Sequence, residues 1–356
     1  PRNELPVKAD AAPALARASS GGAVPMAELH CHIEGAARPA LVLELAERHG
    51  IDLGGIVRDG AYVWDDFTSF LAAYDRASLV FRDAADYCRL AEDHLTGLAR
   101  AGAVYAEFFI SPDHAATASV PGDAYLGGLA EGIRRATAAT GIEARMIVVG
   151  VRHLGADRVE AAARFAATHA VREPLLTGFG LAGDERIGTP RDFAPAFDIA
   201  RDAGLGLTAH AGEFDGAENV RETVEILRTS RIGHGVRAVE APDVVRMLAD
   251  KGIALEICPH SNLALGVYPD AASHPLRPLV EAGCRVTLNS DDPPFFATDL
   301  AAEYAFAASA GFGPGDRLGF TRNAIEAAFV DEAPRQRLLQ QLVVSAIALG
   351  APSSSG

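Results

Sequence analysis

Lysine is almost missing from this chain of 356 residues: Lys8 and Lys251 are the only two. Lys8 falls in an opening leader-like stretch, and Lys251 precedes a strand-like run at the end away from the polar motifs described below. A two-metal centre bridged by a modified lysine therefore has nowhere to form. Cysteine is also scarce. Cys31, Cys88, Cys258 and Cys284 lie far apart with no CxxC pair, which excludes a disulfide framework and a cysteine zinc knuckle and suits a reducing, cytoplasmic compartment. Basic charge is in deficit, with 47 acidic residues against 32 basic ones and a net charge of −15. Such a surface repels phosphate backbones and anionic lipid, so no nucleic-acid or membrane partner is expected, whereas a small neutral ligand or a cation is readily accommodated. No apolar run approaches the ~20 residues of a membrane span. The opening stretch PRNELPVKADAAPALARASSGGAVP lacks the continuous apolar segment of a signal peptide. Residues 1–25 read as a disordered leader, and 351–356 (APSSSG) as a disordered tail.

What is present is a rhythm. The composition is 49% hydrophobic, enough for a large core in either one barrel with insertions or two smaller domains. From Ala27 onward, short apolar β-rich runs alternate with longer Ala/Leu/Arg-rich stretches at helical spacing, the pattern of repeated βα units. Eight such runs stand out: 27–34, 104–111, 144–150, 176–183, 205–213, 231–235, 254–261 and 284–292. Their number predicts a parallel sheet closed into a single (β/α)8 TIM barrel over residues 26–350. The stretch between the first two runs, about 35–103, must hold several helices. Its aromatic-rich part, 61–78, is either a lid over the barrel mouth or ordinary packing around Trp64, Phe67 and Phe70.

Polar residues collect at the C-terminal ends of the runs, where barrels of this type carry their sites. His30 and His32 are two apart on a predicted strand, so both imidazoles project from one face. His210, in AHAGE, and the pair Asp291–Asp292, in LNSDDP, end later runs. Three neutral imidazoles and a carboxylate make a ligand set for a borderline divalent cation, with one position open for water; zinc is the natural choice, and iron, cobalt or manganese suit the same ligands. Glu213 stands three residues after His210, close to such a metal without ligating it; buried there, its carboxyl would hold a proton to donate. The alternative is a helix-start carboxylate. His234, between Gly233 and Gly235 in RIGHG, is placed to orient or deprotonate a water. Adjacent carboxylates do not readily share one metal, so Asp291 and Asp292 divide into ligand and substrate contact, or else serve as turn residues before Pro293. Gly183, in GLAGDE, offers an unobstructed backbone N–H to a heterocycle nitrogen.

Taken in order, LHCHIEG, GLAGDE, AHAGE, RIGHG, CPHSN and LNSDDP resemble the adenosine/adenine deaminase family of metal-dependent amidohydrolases, across most of residues 27–330. The resemblance implies one zinc ion held by His30, His32, His210 and Asp291. It implies that Glu213 protonates the purine at N1, that His234 positions and deprotonates the attacking water, that Asp292 meets N7, and that the Gly183 N–H reaches N3. The reaction implied is hydrolytic loss of the 6-amino group from a small-molecule purine. Within the family, Glu34 stands where adenosine deaminases have a ribose-contacting Asp, and NSDDP is similar to the adenine branch, whereas RIGHG is similar to the adenosine branch. The leading expectation is adenosine or 2′-deoxyadenosine going to the inosine nucleoside and ammonia; the alternatives are adenine to hypoxanthine, or another adenine nucleoside derivative. A lactone or cyclic-amide hydrolase is disfavoured by Glu213 and His234 together, and a non-catalytic purine binder by the filling of every catalytic position.

Overall fold

The computed structural model describes residues 24–348, and in it eight parallel strands form one sheet in strict sequence order. They are β1 Met26–Glu28, β2 Ala103–Ile110, β3 Glu143–Val151, β4 Leu176–Ala182, β5 Gly206–Ala211, β6 Arg231–His234, β7 Ala254–Ile257 and β8 Arg285–Leu288. Sequential parallel pairing with a helix in every crossover curls the sheet until its first and last strands meet. They meet just beyond their ends: the Asp291 N–H donates to His30 O at 3.1 Å, and the His32 N–H to Asp291 O at 2.9 Å. Closure is thus made by residues of the expected site. The (β/α)8 barrel predicted from the sequence is the fold found.

The boundaries shift where polar motifs begin. β1 stops at Glu28, so His30 and His32 stand past the regular strand rather than on it. The chain turns at once, with the Ala36 N–H on His32 O, and isolated bridges from Cys31 to Asp291 and from His32 to Phe109 still hold both histidines in register. The expected helix after β5 is α-helical only over Ala217–Glu222; one π turn, Thr223–Leu227, completes it. Of the predicted leader, Val24 and Pro25 are ordered: Val24 is buried against the helix Pro314–Ala327, and Pro25 O accepts from Thr321 Oγ1 at 2.7 Å. The remaining leader and the 351–356 tail lie outside the described residues.

The insertion after β1 holds helix α1 (Pro39–His49), a short hairpin of Val57–Arg58 and Ala61–Tyr62, α2 (Phe67–Ser78) and α3 (Ala84–Ala101). Asp66 starts α2 through a reciprocal cap: its carboxylate accepts from the Ser69 N–H at 2.8 Å, and Ser69 Oγ accepts from the Asp66 N–H at 2.9 Å. Phe70 and Tyr74 are the buried aromatics of α2. Trp64, just before it, donates to Phe295 O at 3.0 Å, which ties this segment to the loop after Asp292.

The barrel's other end is plugged. Phe329 sits beneath β4 and β5, where a Cβ on Gly206 would come within 2.2 Å of its ring. Arg231 lies over the same ring, 3.7 Å from its centroid. Arg231 also donates to Glu107 and Glu256, at 2.6 Å each, with all three side chains fully buried. A charged layer therefore fills the barrel floor, and the site rests on it.

Candidate active site

His30 is the deepest of the predicted site residues, with no exposed surface. Its Nδ1–H donates to Glu256 Oε2 at 2.8 Å, and the Nδ1–H of His210 to Leu181 O at 2.8 Å. Both rings are thereby oriented with Nε2 toward the barrel mouth. Against the effect of burial, Asp291 and Glu256 raise the His30 pKa to about 9, and a bound cation would take the place of its Nε2 proton. His30 Nε2 has no hydrogen-bond partner although fully buried. His32 Nε2 lies 3.2 Å from His210 Nε2. Asp291 Oδ1 lies 3.3 Å from His30 Nε2 and 3.5 Å from His32 Nε2. One ligand atom from each of these four residues falls within a 4.8 Å cluster. Burial keeps His210 well below its ordinary pKa, helped by the neighbouring imidazoles, and pulls His32 down to about 3 despite Asp291. Neutral imidazoles with converging lone pairs beside a carboxylate are what a bound cation requires. The donor set fits one divalent ion with nitrogen and oxygen ligands.

His234 and Asp291 occupy left-handed backbone at φ 61° and 62°, a region costly for residues with a Cβ and one that recurs at functional sites. The twist turns both side chains inward. Ser261 Oγ donates to Asp291 Oδ2 at 2.6 Å. His234 Nε2 is 3.7 Å from Glu213 Oε1, while its Nδ1 lies 3.2 Å from the Asn262 amide, whose other end meets His274. Glu213 is not a helix-start residue, since the following helix begins at Ala217. Burial, then the charges of Asp291 and Glu185, push its carboxyl well above the usual range. Asp292 is pushed up in the same way, first by burial and then by Asp291, and its Oδ1 is buried without a partner.

These residues face one pocket. His32, Glu34, Gly183, His210, Glu213, His234, Asp291 and Asp292 all line it, with Phe67, Phe70, Leu71 and Tyr74 closing over from the 61–78 segment. That segment both packs and covers. Gly183 has φ +94°, and a Cβ there would meet His153. Gly233 makes room for a histidine: a Cβ there would come 2.8 Å from the His30 ring.

Sequence reasoning missed the residues that hold the first ones in place. Glu256, Arg231 and Glu107 carry charge inside strands that are otherwise apolar, which was the available signal, because a charge in a buried strand demands a partner. Ser261, Asn262 and Glu185 lay within the quoted motifs without a role. Lys251 ends the helix Pro242–Lys251 and is exposed. All four cysteines are buried free thiols.

A barrel that gathers three imidazoles, a carboxylate beside them and a buried glutamate at its C-terminal mouth has the make-up of a metal-dependent hydrolase. A family model for adenosine deaminase matches residues 25–345. An adenine deaminase of Chelativorans sp. (strain BNC1) is 60% identical over 318 residues, 89% of this chain and 97% of that protein. One from Sinorhizobium medicae (strain WSM419) is 57% identical over 317 residues, with the same coverage of 89% and 97%. The crystal structure of adenine deaminase from Arthrobacter aurescens superposes with a TM-score of 0.84 at 29% identity, covering 91% of this chain and 100% of that one. An amidohydrolase from Burkholderia ambifaria, with bound zinc, gives 0.82 at 27%, covering 92% and 93%. The chain belongs to the adenosine deaminase family and is a metal-dependent purine deaminase.

Proposed function

We propose that this chain hydrolyses free adenine to hypoxanthine and ammonia. The observation that carries the free base is Glu34. Its carboxylate is buried on the pocket wall and accepts from Tyr125 Oη at 2.7 Å and Tyr74 Oη at 3.3 Å. Free adenine differs from an adenine nucleoside by one additional ring N–H, a donor that must find an acceptor in an enclosed site. Glu34 supplies it, and the relatives at 57–60% identity are adenine deaminases. This reverses the order of substrates expected from the sequence, where RIGHG weighed toward the nucleoside. Arg231 and Ile232 are buried in the barrel and Gly233 accommodates His30; only His234 of that motif lines the pocket. RIGHG therefore carries little information about the substrate.

In this reading His30, His32, His210 and Asp291 hold a zinc ion, which when bound supplies Lewis-acid activation of water near neutral pH. Glu213 donates its proton to ring N1, making C6 a better electrophile. His234 accepts the proton of the attacking water and orients its oxygen toward C6. Asp292, through its unpartnered oxygen, meets N7, and the Gly183 N–H meets N3. Water adds at C6; the proton taken by His234 passes to the 6-amino group, the C6–N bond breaks to release ammonia, and the second proton of the water restores Glu213, leaving the 6-oxo purine with the proton at N1. The free thiols suit the reducing cytoplasm, and no described helix is long and apolar enough to cross a membrane.

The test is ammonia release by the zinc-loaded protein from adenine, adenosine, 2′-deoxyadenosine and a 5′-modified adenine nucleoside, compared as kcat/KM. Adenine is expected to lead by at least about a hundredfold, because a site built to hydrogen-bond a substrate N–H rejects an analogue lacking it by several orders of magnitude. A nucleoside leading instead overturns the assignment.

A further inference from the structure

Glu185 follows β4 and is 1% exposed, yet among the described residues no arginine or lysine is bonded to it. Its partners are the backbone N–H groups of the loop 212–215 and the side-chain amide of Asn219, on the helix that follows. Oε1 accepts from the Gly212 N–H and from Asn219 Nδ2 (2.8 Å). Oε2 accepts from the N–H groups of Glu213 (2.9 Å), Phe214 (2.6 Å) and Asp215 (3.1 Å). Four successive backbone amides thus converge on one carboxylate, a geometry in which charge-assisted bonds fix a backbone closely. The carbonyl side of the loop is held as well: Gly212 O accepts from the Arg237 N–H at 2.9 Å, and Phe214 O accepts from the Arg237 guanidinium. The residue at the centre of this clamp is Glu213.

We infer that Glu185 is a positioning residue for the proton donor: by gathering the amides of 212–215 it holds Glu213 aimed into the pocket. The inference rests on the reading of Glu213 as the donor. Glu185 borders no part of the pocket, and its effect passes through the loop it binds. Its negative charge also favours the protonated form of Glu213, after burial and Asp291. A glutamine at this position keeps the shape but turns an NH2 toward amides that need an acceptor, releasing either the Gly212 and Asn219 pair or the three that follow. Glu213 then loses its aim, and misplacement of a catalytic group by ~1 Å costs on the order of a hundredfold in rate.

The experiment is a double-mutant cycle on the zinc-loaded enzyme with adenine, comparing wild type, Glu185→Gln, Glu213→Gln and the double variant. Melting temperature and zinc content are recorded for each. Glu185→Gln is expected to lower kcat about a hundredfold, with KM and zinc content within about twofold of wild type. Added to Glu213→Gln it should cost less than about threefold more, because the group it aims is already gone. Wild-type kcat in Glu185→Gln, or a loss that multiplies fully in the double variant, overturns the inference. Should Glu185→Gln not fold, Glu185→Asp decides in its place: it keeps the charge on a shorter arm and should show an intermediate kcat at unchanged KM. Full activity in Glu213→Gln alone would instead remove the donor assignment, a failure distinct from that of Glu185.

Discussion

At the scale of single residues, the site is made by side chains in positions that ordinary packing would not choose. Asp291 takes left-handed backbone and aims one oxygen at two imidazoles while Ser261 holds the other. Asp291→Ala should abolish both zinc binding and activity, measured by metal analysis after gel filtration; a variant that keeps its full zinc content would remove Asp291 from the ligand set. Gly35 supplies the contrast. A Cβ there would stand 1.7 Å from Asp292 Oδ1, so the glycine is what lets Asp292 stand against the turn. Gly35→Ala is expected to displace Asp292, leaving zinc content intact and kcat/KM at least about tenfold lower. The same view explains what could be read at this scale. All nine expected site residues lie in or directly beneath the pocket, because each ends a strand or lies on the short connection just after it, and strand ends converge in a barrel. Glu185, Ser261 and Asn262 stood in the same motifs, but their partners are distant in sequence, and no spacing reveals that four amides will turn toward one carboxylate.

At the scale of elements, α2 links stability to access. Its cap at Asp66 is exposed, its inner face lines the pocket, and Tyr74 reaches Glu34. Phe70 packs on Phe296, and Tyr62 stacks on Phe295 with ring centroids 3.8 Å apart, so the helix and the loop after Asp292 form one cover. Asp66→Ala removes the capping acceptor, which costs a helix about 1 kcal/mol. The expected result is a raised KM for adenine with kcat and zinc content little changed, because the cover loosens while the polar groups beneath it stay in place. An unchanged KM would mean that α2 does not restrain the substrate. The aromatic composition of 61–78 marked it in the sequence as cover or packing, and the structure makes it both. The hairpin before it was not legible, since two residues per strand leave no period to detect.

At the scale of the whole molecule, the buried charges on the barrel floor join fold to function. Arg231 bonds Glu107 and Glu256, and Glu256 in turn fixes the His30 ring. Arg231→Met would leave two fully buried carboxylates without their cation, a loss of ~3–5 kcal/mol for a broken buried pair. Urea unfolding should show a lower midpoint, and zinc retention against a chelator should fall with it, because Glu256 loses its anchor. Wild-type stability would show the floor to be electrostatically idle.

The alternation of apolar runs with helical stretches determined the barrel from the sequence alone, because strand and helix periods are local properties of the chain. The motif order determined the family, and it marked the residues that cluster at the barrel mouth for the same reason: each lies within a few residues of a strand end. Only the tertiary structure decided where each motif faces. Glu34 and RIGHG point in opposite directions as strings; in the fold Glu34 stands on the pocket wall, whereas of RIGHG only His234 reaches it, and the proposal of free adenine rests on that placement. Tertiary structure alone also brought Glu256 under His30 and Glu185 behind Glu213, since such contacts depend on the closure of the ring and not on any separation along the chain.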